Sequence, residues 1–284
     1  MIHTLLPITL MLTLAASEPE THVTFDDVLA LHAGEPDETL RYGDAPEQFA
    51  ELWLPPGETA PPLVVLIHGG CWLNRFDVGH TRPMASRIRD EGYAVYSLEY
   101  RRIGDSGGGW PGTFEDIANG VDSVRKLAGR VDLEHSVIMG HSAGGHLAVW
   151  AGRRQAFGPE NPFRENAPFE PAAVIGLAAI VDLHTYSLGG SSCEQATVSL
   201  LGGAFEEVEA RYRFTSPALL AAGARTILVQ GTADRIVPLE QAASLSDVGP
   251  GDILEVPGAG HFDLIFPAGP TFDVVLAALR LALP

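Results

Sequence analysis

From about residue 45 onward, two kinds of segment alternate along the chain. Short runs that are apolar at nearly every position (Leu63 to Ile67, Ala94 to Leu98, Val137 to Met139, Ala173 to Val181, Thr226 to Val229 and Ile253 to Val256) are separated by longer stretches with helical spacing. A strand that alternates apolar and polar residues buries one face, whereas one that is apolar throughout is buried on both, as in a parallel sheet covered by helices. The helical stretches run over Met84 to Asp90, Phe114 to Leu127, Ala143 to Trp150, Leu239 to Leu245 and Val274 to Leu281. In the second of these, Phe114, Ile117, Val121, Val124 and Leu127 recur at three and four, and Gly129 closes the helix. The pattern predicts an α/β fold, with an antiparallel strand near Ala50 to Leu54 starting the sheet.

No linker divides the chain, so 45–284 reads as a single domain. Its longest stretch without alternation, about Asp182 to Arg225, contains Gly189-Gly190-Ser191-Ser192-Cys193 and a helical Val198 to Leu201. A segment that long within a compact domain usually serves function, and 183–224 is expected to form a small cap. Residues 18–44 are polar and read as a lead-in. Residues 1–17 read as a signal peptide: an apolar run from Leu5 to Ala16 ends in the small residues Ala15-Ala16-Ser17, although the segment before it carries His3 and no Lys or Arg. That run is shorter than the roughly 20 residues needed to cross a bilayer. The expected location is secreted or periplasmic, with the cytoplasm as the alternative, and no membrane insertion is expected.

Composition narrows the partners. The chain has 284 residues, is 46% hydrophobic and carries a formal charge of −18. Such a field repels phosphate backbones, so nucleic acid is not expected as a partner. The two cysteines, Cys71 and Cys193, match no zinc spacing and neither do the ten histidines; no metal and no organic cofactor are expected. Export would permit a bridge between Cys71 and Cys193 across the site entrance; two free thiols are the alternative.

The chemistry lies in four motifs, each at the end of an apolar run. Gly140-His141-Ser142-Ala143-Gly144 follows Val137 to Met139 and precedes a helix. A sharp strand-to-helix turn presents a serine at its tip and tolerates only small residues two positions to either side. Ser142 is therefore the candidate nucleophile. His68-Gly69-Gly70-Cys71-Trp72 follows Leu63 to Ile67; a glycine-rich loop there can aim backbone amides at a developing oxyanion, with Gly70, Cys71 and Ala143 as donors. A serine hydroxyl needs a base oriented by an acid. Asp234, in Gly231-Thr232-Ala233-Asp234, and His261, in Gly258-Ala259-Gly260-His261, occur in the chain order Ser, Asp, His that this topology demands. Asp182 is the competing acid, and Asp234 alone could instead cap the helix near Leu239. Trp72, Trp110, Tyr186 and Phe262 fall in segments expected at the same face and are candidates for a substrate pocket; packing of the loops is the alternative.

The motifs HGGCW, GHSAGGHLA, GTADRIVP and GAGHFD resemble the α/β-hydrolase superfamily. Within it, HGG followed by Cys71-Trp72 resembles the branch of feruloyl and acetyl-xylan esterases and kynurenine-formamidase-like enzymes. The resemblance implies an eight-stranded, mostly parallel sheet with helices on both faces, and a Ser142, Asp234, His261 triad. It further implies a small-molecule ester substrate with a small or aromatic acyl group, hydrolysed through an acyl-enzyme. An amidase using the same triad and a noncatalytic protein on this fold are the alternatives.

Overall fold

A computed structural model describes residues 22–165, 167–245 and 252–283; the signal peptide expected at 1–17 lies outside the described residues. Eight strands form one sheet: β1 (Glu38–Arg41), β2 (Phe49–Trp53), β3 (Pro62–Ile67), β4 (Ala94–Leu98), β5 (Asp132–His141), β6 (Ala173–Leu177), β7 (Arg225–Gly231) and β8 (Ile253–Val256). Their spatial order is β1-β2-β4-β3-β5-β6-β7-β8. β2 runs antiparallel to both of its neighbours, and every later pairing is parallel. This is the α/β-hydrolase architecture expected from the motifs.

The central strands carry no alternation because neither face meets water. All five residues of β4 and of β6 are buried, as are the last six of β5. The helices are α1 (Phe25–Leu29), α2 (Arg82–Asp90), α3 (Gly112–Asp122), α4 (Ala143–Gly152), α5 (Leu183–Ser187), α6 (Ser192–Leu201), α7 (Phe205–Thr215), α8 (Leu239–Ala243) and α9 (Phe272–Ala282). α4 is buried over its whole length, packed against the sheet and α3, with His146 and Trp150 bonded to carbonyls at the end of α7, which explains why it shows no polar face.

The sheet begins earlier than the hydrophobic pattern indicates. β1 lies inside the stretch assigned as lead-in, and it escapes detection because Glu38, Thr39 and Arg41 are exposed and only Leu40 is half-buried. An edge strand of this kind carries no core signal. The same stretch holds α1, started by Thr24, whose hydroxyl accepts from the Asp27 amide while the Asp27 carboxylate accepts from the Thr24 amide.

Between β6 and β7, where a cap is expected, the chain forms α5, α6 and α7, none of which lines the cavity described below. The helix expected at Val198 to Leu201 extends back to Ser192. Ser191 and Glu194 form a capping box at its start, and Gly202 ends it with φ +73°, a left-handed conformation that glycine adopts without penalty. Cys193 near the start of α6 is disulfide-bonded to Cys71, across 122 residues of chain.

Candidate active site

Ser142 sits where β5 turns sharply into α4, with φ 57° and ψ −120°, a strained backbone for a residue with a side chain. The turn is tight enough that a Cβ on Gly140 would overlap the Gly144 carbonyl, and one on Gly144 would overlap the carbonyls of Ile67 and His68. These two glycines are thus required by close backbone approach, as the motif's spacing predicts.

His261 follows β8, and its Nδ1 lies 2.7 Å from Asp234 Oδ2, with both side chains almost wholly buried. The other carboxylate oxygen, Oδ1, accepts the amides of Ile236 (2.8 Å) and Val237 (2.9 Å), which fixes the acid on the loop after β7. Asp234 does not cap α8, whose start is Pro238 with no side-chain cap. Asp182, the competing acid, instead caps α5 by accepting from the Thr185 amide at 3.1 Å. Ser142 and His261 line one cavity of about 140 Å³, together with Gly70 and Cys71. A wider surface depression of about 570 Å³, lined by Arg125, Phe157, Arg164 and Phe169 among others, shares none of these residues.

The loop after β3 is held in an uncommon shape, with positive φ at three successive residues, Gly70 (104°), Cys71 (53°) and Trp72 (55°). Among the described residues, the backbone N–H groups of Gly70, Cys71 and Ala143 have no hydrogen-bond acceptor. Orphaned amides at such a site are costly unless a ligand satisfies them. The base of the loop is braced by His68, whose Nε2 lies 2.9 Å from Glu99 Oε1 and whose carbonyl accepts the Tyr100 hydroxyl at 2.9 Å. Burial alone would raise the Glu99 carboxyl, but His68, Arg102 and the Tyr100 amide together hold it below the ordinary carboxylate range.

Of the four rings expected in the pocket, only Phe262 lines the cavity. Trp72 is fully buried and donates through Nε1 to His146 Nδ1 at 3.2 Å. Trp110 packs against Phe114 and Phe163. Tyr186 is buried too, donating its hydroxyl to the Ile236 carbonyl at 3.1 Å, so it supports a cavity residue without being one. These three rings pack the loops, because a motif's proximity in sequence does not fix the direction of its side chains. The cavity wall comes instead from Phe25, Phe76, His80, Ile236 and Ile265, of which only Ile236 falls within one of the four motifs. Phe25 carries one legible signal, its place directly after Thr24 within the Thr24 to Asp27 capping pattern.

Two further histidines serve the site as neutral hydrogen-bonding groups. A carbonyl can only accept, so His141 Nε2 carries the proton it gives to the His261 carbonyl at 3.0 Å, and His146 Nε2 carries the proton it gives to the Thr215 carbonyl at 2.9 Å. Burial, reinforced by the neighbouring His261, holds His141 well below the usual imidazole range; burial pushes His146 down to about 4. His141 sits within the serine motif itself, and nothing in its type or spacing distinguishes it from a filler residue.

These buried imidazoles predict an acid-labile fold. Unfolding raises each to an ordinary value near 6.5, so the unfolded chain binds more protons below that pH and stability falls as pH drops from about 6.5 toward 4. His146 alone accounts for a loss on the order of 3 kcal/mol over that window. Urea unfolding at pH 7 and pH 4.5 checks this; equal midpoints with equal slopes would refute it.

Comparison with known proteins follows the same lines. The sequence model of one family, BD-FAE, matches residues 50–248. Esterase LipC of Mycobacterium tuberculosis (strain ATCC 25618 / H37Rv) is 28% identical over 272 residues, covering 84% of this chain and 63% of its own. A probable isoprenylcysteine alpha-carbonyl methylesterase of Arabidopsis thaliana is 26% identical over 114 residues, 39% of this chain and 23% of its own. The chain thus spans less than two thirds of the length of these curated relatives. Among solved structures, esterase B from Lactobacillus rhamnosis (HN001) superposes with a TM-score of 0.74 at 21% identity, covering 91% of this chain and 89% of that one. A truncated carbohydrate esterase from gut microbiota gives a TM-score of 0.70 at 21% identity, covering 88% and 99%. At such identities the structures speak for the fold alone.

Proposed function

The chain belongs to the BD-FAE family, and from that premise we propose that it is a serine hydrolase that cleaves carboxylic esters of small or aromatic acyl groups through an acyl-enzyme. The observation that carries this reading is the convergence on one cavity of Ser142, an Asp234-bound His261 and a loop whose amides lack acceptors. His261 has committed Nδ1 to Asp234, so Nε2 is the nitrogen available to take the proton from Ser142. Ser142 Oγ attacks the ester carbonyl, and the negative charge that forms on its oxygen is met by the N–H groups of Gly70, Cys71 and Ala143. Collapse expels the alcohol with the proton held on His261. The same base then activates a water that releases the acid and restores the serine. Asp234 keeps the imidazole in the required tautomer and stabilises its cation.

The Cys71 to Cys193 disulfide suits an oxidising compartment, which supports a secreted or periplasmic location.

The test is covalent. A p-nitrophenyl phosphonate should release close to one equivalent of nitrophenol, and peptide mapping should find the adduct on Ser142. A panel of acetyl esters, an aryl formamide and a peptide anilide then separates esterase from amidase. Labelling elsewhere, or faster turnover of the amides, would defeat the reading.

A further inference from the structure

Part of the wall of the cavity that holds Ser142 and His261 is supplied from outside the sheet, by Phe25 of the short helix α1. The Phe25 ring meets Phe76 edge-on (5.3 Å, 88°), His80 (5.5 Å, 65°) and Phe262 (5.5 Å, 50°), so one side chain joins rings from two other segments, the connection between β3 and α2 and the one after β8. Edge-to-face packing of this kind favours a defined position over a loose one. The helix that carries it is fixed by the Thr24 and Asp27 capping box and by Val28, which is fully buried.

We propose that Phe25 sets the acyl-length limit of the enzyme, closing the cavity beside Ser142 so that it takes acetyl to butyryl groups and excludes octanoyl and hydroxycinnamoyl groups. This inference rests on the ester-hydrolase reading above and narrows its acyl range to the small groups. The enclosed volume, about 140 Å³, is about half the roughly 300 Å³ at which clefts begin to hold drug-sized ligands. Its wall is apolar, formed by Phe25, Phe76, Ile236, Phe262 and Ile265, and His80 adds no charge because burial, then the neighbouring His68, push it down to about 3. The enclosed space suits the acyl group and not the alcohol: the alcohol must depart after the first step, whereas the acyl group stays bonded to Ser142 Oγ while water enters.

The experiment compares kcat/KM for p-nitrophenyl acetate, butyrate and octanoate and for methyl ferulate in wild type, Phe25→Ala and Phe25→Leu, with thermal melts to establish folding. Wild type should handle octanoate at least about tenfold less well than butyrate, the scale at which a hydrophobic pocket discriminates by size. Phe25→Ala should close that gap by about tenfold or more and raise ferulate turnover, with Phe25→Leu between; the milder variant keeps the test open if the alanine does not fold. A wild type that prefers octanoate or ferulate, or a folded variant with an unaltered chain-length profile while ester hydrolysis persists, overturns the proposal and leaves the esterase reading intact. Absence of turnover on every ester overturns both.

Discussion

Substituting Ser142 by alanine should lower kcat on p-nitrophenyl acetate by about a million-fold, the scale seen when another triad hydrolase loses its nucleophile. The substitution removes one oxygen from a buried turn whose glycines set its geometry, so the melting temperature should change little. His261→Ala should cost nearly as much, and the double variant scarcely more, since the two act as one unit. Asp234→Asn should fall by about ten-thousand-fold, because an amide at that position favours the wrong imidazole tautomer. Steady-state rates on purified, folded variants decide the matter, and a Ser142→Ala protein that keeps most of its activity would dismantle the assignment.

The second large effect concerns stability. The disulfide closes a loop of 122 residues, and in chain-entropy terms such a cross-link restrains the unfolded chain by up to about 5 kcal/mol. Removing it with the Cys71→Ser, Cys193→Ser pair should lower the melting temperature by about 10 to 20 °C for a protein of this size. Turnover should fall as well. Gly70, Cys71 and Trp72 all hold positive φ, and a loop in that state relaxes when a tether is cut; displacement of one oxyanion donor costs up to about a hundred- to thousandfold. Wild type treated with reductant should reproduce the double variant in both assays. A shift under about 2 °C would show that the bridge adds little to the fold.

What could be read in advance follows burial. β3, β4, β5 and β6 announce themselves because both faces are covered, and the four segments of the candidate site are legible because each follows a strand and carries glycines at fixed places. β1 is silent because water covers most of it. The cavity wall is silent for a different reason: Phe25, Phe76 and Ile265 lie on three unrelated segments and meet only in the folded protein. Trp72 shows the converse. It stands next to the oxyanion loop in sequence, yet the left-handed backbone at Cys71 and Trp72 accompanies a ring buried against His146 and away from the cavity.

The tie from Trp72 through His146 to the Thr215 carbonyl bears on how the proposed hydrolase would work over time. Thr215 ends α7, and the disulfide anchors α6, so two independent moorings fasten these helices to the loop after β3. Helices moored twice cannot swing like a door without pulling on that loop. In the proposed hydrolysis, product is therefore expected to leave with both helices still tied to that loop.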